Sequence, residues 1–366
     1  MSPATGTDIR LEELRLPATA TRDDPDWPAF VEMIGIRNQV VADAIGTDRL
    51  AWTPESILPQ FQDHTWSPSR SFVLRVDGIA VGRGSLGWST EGGSPLAFPT
   101  VEVLPAYRRA SYGSMLADHI EKLAAEMDRT LLRTWVGHPE RGNGERIESP
   151  AGAGSIPADD PGVLFLLRRE YQLGQVGRTS VLDLPVDPDV LSRLRTTAEA
   201  ASADYRLVTW IGSAPDDRVD DLCLLRTRMS TDAPNGAMLI EEETWTPERL
   251  RKRERQVEDG GQTILTAAAE HRATGRLVGY TNLYVPSDFA QPVDQGTTLV
   301  LSEHRGHRLG VLIKVANIEQ LRQFGPDATM IVTGNAEENR YMLSTNEALG
   351  FRPLLAEGVW EKHLES

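Results

Sequence analysis

Apolar and polar positions along this chain fall into short runs of two periods, and the runs follow one order twice. Ile9 to Leu16 alternates apolar with polar residues, the period of a half-buried strand. Asp26–Ala44 and Thr53–Gln62 carry the helical period, and TPES at 53–56 supplies an N-cap followed by proline. Ser71–Val76 and Ile79–Trp88 flank Asp77 and Gly78, a hairpin signature. Thr100–Val103 reads as a strand, Ser114–Met127 as a helix and Leu131–Val136 as a strand. Residues 137–161, rich in Gly, Pro, Glu and Arg, then break the pattern as a surface loop or lid. Gly162–Arg169 is predicted to be a helix, and Val176–Leu184 a strand that closes the sheet.

A polar helical stretch over 186–204 reads as a linker, and the order restarts at Tyr205. Leu207–Ile211 is a strand, Pro215–Met229 a helix and Ser230–Ile240 an irregular loop. Trp245–Asp259 is a charged helix capped at Thr246, whose run RLRKRER reads as a solvated basic face. Thr263–Glu270 and Leu277–Val285 form a second hairpin. Then comes TTLVLSEHRGHRLG, residues 297–310: a short apolar strand, a cationic turn and the opening of a helix. That helix places Leu309, Leu312, Ile313, Ala316 and Leu321 on one face, and Gly325 with Pro326 ends it. Ala328–Thr333 is a strand, followed by Asn335 and Asn339 at the start of a last helix, Gly350, Phe351 and a final strand.

The pattern predicts a mixed α/β protein with a loose N-terminus over 1–8, a domain over 9–185, a linker over 186–204 and a domain over 205–366. A repeat of roughly 160–180 residues lies in the usual domain range. The turn at 305–310 offers free N–H groups at a helix N-terminus, beside Arg305, His307 and Arg308. Such a place suits an anion such as a diphosphate. It lacks the Gly-Lys-Ser/Thr run of a P-loop and the G-x-G-x-x-G of a dinucleotide fold.

The 366 residues suffice for two cores, and 40% hydrophobic with 25% charged residues is an ordinary globular balance. A net charge of −15 argues against nucleic acid and against anionic membranes as partners. The single cysteine, Cys223, cannot form an intrachain disulfide; it reads as a packed thiol, and the expected compartment is the cytoplasm. The start MSPATGTD is polar, and no segment reaches about 18 apolar residues, the length a membrane helix needs.

Strand, cationic turn, helix, strand, Asn-rich start, helix and Gly-Phe resemble, in that order, the GNAT acetyltransferases, which move an acyl group from acyl-CoA to an amine. Arg305 and Gly310 match the first and last positions of that family's R/Q-x-x-G-x-G/A turn; the fourth position is Arg308 instead of glycine. VEVLPAYRRASYG at 101–113 matches it again through Arg108 and Gly113, with Ser111 in place of glycine. The wording HRGHRLG, with TGNAEEN and NEALGF downstream, is similar to actinobacterial tandem GNAT proteins of the mycothiol synthase type. The resemblance implies two GNAT-like domains, each a twisted mixed sheet with a splayed central strand flanked by helices. It implies acetyl-CoA as cosubstrate, no metal, and a small-molecule or peptide amine as partner, in a monomer or homodimer.

Carried over position by position, it implies that Thr298, Leu299 and Val300, and in the first copy Val101 and Val103, pair with pantetheine. Arg305, Gly306, His307, Arg308, Leu309 and Gly310, with Arg108 and Gly113 in the first copy, would cradle the diphosphate. Asn335 and Asn339 would hold the pantetheine arm, apart from their capping value. Counting five back from Phe351, where many members carry a tyrosine acid, gives Asn346; counting back from Tyr171 gives Leu166, which donates no proton. Tyr341 and Asp294 complete the expected catalytic set as acid and base, with Glu303 and Glu102 as further carboxylates. The second copy is therefore expected to be catalytic and the first degenerate. The alternative is a non-catalytic acyl-CoA sensor or interaction protein.

Overall fold

The computed structural model describes residues 7–364 apart from 92, 140–143, 233–235, 237 and 240. Most of the expected loose N-terminus, and parts of the loops expected at 137–161 and 230–240, lie outside the described residues. The chain divides into two units: Met1–Ile147 with Ile156–Gly174 and Glu357–Ser366, and Glu148–Ser155 with Gln175–Ala356.

In the first unit, β1 (Ile9–Glu13) leads to α1 (Trp27–Ile45) and α2 (Pro54–Phe61). β2 (Ser69–Val76), β3 (Ile79–Trp88) and β4 (Leu96–Val103) follow, then α3 (Tyr112–Glu126) and β5 (Leu131–Pro139). The loop after β5 carries two short strands, β6 (Arg146–Glu148) and β7 (Ser155–Pro157), before α4 (Pro161–Arg168); β8 (Gln172–Asp183) follows and from Gln175 on belongs to the second unit. β1 to β4 form an antiparallel meander, turned at Asp77 and Gly78 through left-handed φ values of 48° and 83°. β5 runs parallel to β4. α3 buries Leu116, Ala117, Ile120, Leu123 and Ala124 against β3 and β4.

The second unit repeats this plan. α5 (Pro188–Ala201), β9 (Tyr205–Ile211), α6 (Val219–Asp232), α7 (Pro247–Asp259), β10 (Gln262–His271), β11 (Arg276–Pro286) and β12 (Val293–Val300) come first. α8 (Leu309–Phe324), β13 (Met330–Ala336), α9 (Arg340–Leu349) and the start of β14 (Arg352–His363), as far as Ala356, complete it. β9 to β12 are antiparallel and β13 is parallel to β12.

Three expectations change. β8, expected to close the first sheet, pairs through residues 177–183 with 330–336 of β13 inside the second unit. The first unit takes instead the end of the chain, where Glu361 meets Arg133, Lys362 meets Glu121 and Leu364 donates to Thr130 O. Periodicity cannot identify such an exchange, because it marks which residues form a strand and not which strand they pair with. The stretch expected as a linker is α5, and it packs on α8. Its Leu191 joins a core cluster with Val315 and Ile318, and its Ala198 another with Leu309 and Leu312. α8 accordingly buries more than the one expected face: every residue from Leu309 to Ile318 except Val311 is buried. Fully burying each Leu or Ile there contributes roughly 1.5–3 kcal/mol. Cys223 is packed in α6 as expected, and burial raises its thiol pKa.

Candidate functional site

Two features of the sheet create an opening in each unit. β12 and β13 are hydrogen-bonded only at Val293↔Ile331 and Asp294↔Val332. β4 and β5 pair only at Leu96↔Leu131 and Ala97↔Leu132. Beyond those pairs the strands diverge, so the edges of β12 after Asp294 and of β4 after Ala97 present backbone groups without a ladder partner. Each central strand then runs into a single 3₁₀ turn, Pro105–Tyr107 or Ser302–His304, and into α3 or α8.

The two turns have the same backbone. Arg108 and Arg305 are extended, at φ −67° and −70°. Ser111 and Arg308, the residues before the helices, are left-handed at φ 63° and 55°. These are the positions where the resemblance implies glycine, so a non-glycine residue keeps the glycine geometry. No side chain caps either helix, which leaves first-turn N–H groups to other acceptors. Because αL is a strained but accessible state for arginine, Arg308→Gly is expected to change stability by no more than about 0.5 kcal/mol. Arg308→Val, β-branched, should lower it by roughly 1–3 kcal/mol. Denaturant unfolding of the two variants checks this.

Arg305 acts as a latch. Its Nε donates to Val300 O at 3.1 Å, and Nη2 stands 3.3 Å from Asp232. Arg108 repeats this on Val103 O at 3.1 Å and Asp43 at 2.9 Å. Both tie the turn to the end of its central strand. His307 packs on Tyr205 with ring centroids 5.3 Å apart, while Arg308 is exposed. Gly306, at φ 90°, has open space where a Cβ would stand. A Cβ on Gly310 would lie 3.7 Å from the ring of Tyr341, so Tyr341, itself exposed, lies over the N-terminus of α8. Phe165 holds the same place over Gly113, at 3.6 Å.

The two openings differ inside. The β11–β12 ladder slips between Thr281 and Leu283, a bulge that leaves Gly296 and Thr297 of β12 unpaired; the β3–β4 ladder is regular from Gly82↔Val103 to Trp88↔Ala97. Register makes Phe98 and Trp135 the counterparts of Gln295 and Asn335. In the first unit those two rings meet at 5.6 Å, so aromatic side chains fill the position. In the second, Gln295 accepts from Lys314 at 3.1 Å and donates to Thr281 and to Asn282 O. Asn335 accepts from Asn346 at 2.7 Å.

Of the expected catalytic residues, Asp294 is exposed at the vertex where β12 and β13 part. Asn346 is buried and donates to Asn335. Asn339, not Asn335, caps α9 by accepting from Met342 N at 3.2 Å. Thr298 bonds Thr281 through their hydroxyls at 2.7 Å, while Leu299 lies in the core. Val103 is buried in the first unit's core, with Val101 against it. Glu102 is paired with Arg83, and Glu303 is exposed beside Ser302.

Sequence reasoning missed the polar residues behind the bulge: Gln295, Lys314, Tyr280, Asn282, Tyr284 and Arg226. The alternation YTNLY at 280–284 was their one visible signal. Tyr284 titrates near 8: burial would raise it, but the guanidinium groups of Arg226 and Arg253 outweigh that. Lys314 is pushed down to about 7 by burial. The basic run on α7 is also not a plain solvated face. Arg249 is buried over Trp245, Arg251 bonds Asp216 and Glu254, and Arg253 lies over Tyr284.

A sheet that opens beside its central strand, followed by an uncapped helix N-terminus, twice in one chain, defines a tandem GNAT fold. Residues 40–142, in the first unit, match the model of the acetyltransferase (GNAT) family; this is the copy whose motif was the weaker in the sequence. Over its whole length the chain is similar to a tandem GNAT protein from the clavulanic acid biosynthesis pathway. The identity is 24%, the coverage 98% of this chain and 99% of that one, and the TM-score 0.72. A GCN5-related N-acetyltransferase from Sphaerobacter thermophilus follows at 11% identity, covering 98% and 96%, with a TM-score of 0.65. The glucosamine N-acetyltransferase region of a fungal multi-domain GH3 β-N-acetylglucosaminidase matches at 13%, covering 97% of this chain and 38% of that one, with a TM-score of 0.60. No curated protein matches the sequence. GNAT proteins are acetyltransferases that draw on acetyl-CoA. Among the described residues no His, Cys, Asp and Glu group could hold a metal, and no helix is long and apolar enough to cross a membrane.

Proposed function

We propose that the second unit binds acetyl-CoA along the open edge of β12 and transfers the acetyl group to the amine of a small polar metabolite, antibiotic or peptide. The observation that carries this is the combined bulge and splay of β12 above an uncapped α8. Backbone groups of 295–300 on the open edge would pair with the amides of the pantetheine arm. The first-turn N–H groups of α8, bare Gly306 and exposed Arg308 fit a diphosphate. The amine loses a proton as it attacks the thioester carbonyl; the C–N bond forms, the C–S bond breaks, and the thiolate leaves with a proton. In this reading Asp294, exposed where β12 and β13 part, would take the first proton, and Tyr341 would offer a hydroxyl at the cradle. Asn346 and Asn335 brace one another and act as positioning residues.

The first unit keeps the turn and the latch, but Phe98 and Trp135 occupy its opening, which supports a structural role for it. Calorimetric titration with acetyl-CoA tests the assignment. Arg305→Ala should weaken binding at least about tenfold, because the turn loses its tie to Val300. Arg108→Ala should leave it unchanged. The reverse pattern would move the site to the first unit, and absence of binding by the wild type would end the reading. A second reading, a non-catalytic acyl-CoA binder, is favoured by the mutual bond of Asn346 and Asn335, which leaves no acid at the expected position. Thiol release in the presence of an amine separates the two.

A further inference from the structure

Tyr280, Asn282 and Tyr284 alternate along one face of β11, the face covered by α6 and α7. Arg226 of α6 reaches the same place. It is 8% exposed, Tyr280 0% and Asn282 1%. Among the described residues Arg226 Nε, the Tyr280 hydroxyl and both amide atoms of Asn282 make no hydrogen bond within 3.5 Å. Arg226 forms no ion pair among the described residues; its guanidinium sits over Trp245 at 4.5 Å and Tyr280 at 5.9 Å. Glu254, the carboxylate whose field reaches it, is taken by Ala214 N and Arg251. A guanidinium does not discharge by losing its proton. The Arg226 guanidinium and the Asn282 amide reach the Tyr284 hydroxyl, and the Tyr280 hydroxyl reaches Thr297, so the core of this unit holds a cation with polar neighbours but, among the described residues, no carboxylate paired to it, an arrangement that costs stability unless an anion completes it.

The cluster has a half-exposed end and a neighbour. Tyr284 and Arg253, the latter 5.7 Å above the Tyr284 ring, are only half-buried and form its outer end. At the inner end stands the β12 bulge. A Cβ on Gly296 would lie 2.7 Å from Tyr284 Cε2 and 2.9 Å from both amide atoms of Asn282. The open edge of β12 is on that same strand.

We propose that this cluster is a carboxylate subsite for the amine acceptor, and that the acceptor is a small amino-acid-like molecule. The proposal rests on the acetyl-transfer reading above. A carboxylate matches the planar fork of Arg226, and its remaining lone pairs take the Asn282 amide and the Tyr280 hydroxyl. Arg253 and Tyr284 close over it. Only the width of one strand, roughly 5 Å, separates this anchor from the open edge. The amine consequently sits a few bonds from the carboxylate. In a chain of net charge −15, two guanidinium groups beside the site single out an anion that the rest of the surface repels.

Acetate is the probe. Tyr284 reports on the site because it titrates near 8, below an ordinary tyrosine. Tyrosinate absorbance is followed against pH in sodium acetate and in sodium chloride of equal ionic strength. Acetate beside Arg226 should offset its charge and move the lowest step upward, and Tyr284→Phe should remove that step. Arg226→Met should abolish the difference between the salts; Arg253→Gln, at the half-exposed end, should reduce it even if Arg226→Met does not fold. In thiol release, amino acids should exceed their carboxamides as acceptors by roughly tenfold or more. Equal titrations in the two salts would overturn the proposal and leave the cluster as a closed aromatic cage. Equal use of acids and carboxamides would overturn it as well. The acetate titration involves no acyl donor, so a protein that shifts with acetate yet does not bind acetyl-CoA would refute the transferase reading and not the anion site.

Discussion

Lys314→Met is expected to be more stable than the wild type near neutral pH, by about 1–4 kcal/mol. Lys314 is 2% exposed in the middle of α8. Its ammonium has three donors and one hydrogen-bond acceptor, Gln295 Oε1 at 3.1 Å, with the Phe351 ring 5.5 Å away. Burial alone lowers its pKa from 10.5 to about 7. Between those two values the unfolded chain keeps a proton that the folded chain has released. Stability therefore rises with pH from about 7 towards 10.5, by at most about 1.4 kcal/mol per unit. Below about 7 both states are protonated and the penalty of the buried charge is complete. Methionine fills the same space without a charge, so the variant should lose this slope. Urea unfolding of both proteins at pH 7 and pH 9 measures it. Parallel behaviour of the two would mean that Lys314 is not discharged on folding.

Gly296→Ala is expected to reduce acetyl transfer by about a hundredfold and stability by roughly 1–3 kcal/mol. The added methyl would meet Tyr284 at 2.7 Å and the Asn282 amide at 2.9 Å. Asn282 is buried and its backbone O accepts from Gln295, so the strand behind its side chain is held in place. The bulge itself must move, and with it the open edge proposed to align the thioester. Gly334→Ala on β13 is the control. It has open space at the Cβ position and should stay within about 0.5 kcal/mol of the wild type, with unchanged rate. Thiol-release kinetics and unfolding curves of the pair decide the matter, and full activity in Gly296→Ala would remove the bulge from the site.

Much of this architecture is legible in the order of residues. The 3.6-residue period of 309–324, the Asp77–Gly78 turn and the Thr246 cap are local features, and each sets its element by contacts within a few residues. The double RxxxxG turn is local as well, and its backbone follows the expected path although Arg308 and Ser111 replace glycine. The site is different in kind. The edge of β12 is open because β13 leaves it after Asp294, and the bulge exists because β11 and β12 slip by one residue. Neither event is written in the residues of one strand. Phe98 and Trp135 are far apart in the chain, and only the register of β4 with β5 puts their rings together.

The sequence by itself determined the class of fold, the repeated order of elements and the position of the two turns, because periodicity, caps and turn residues act over short distances. The tertiary structure alone decided which unit receives the strand at 175–183 and which receives the chain end. It also decided that α5 belongs to a core, and that Arg226, Tyr280, Asn282 and Tyr284 meet behind Gly296. Burial and pairing across tens of residues set those outcomes, and the same side-chain alternation is compatible with several of them.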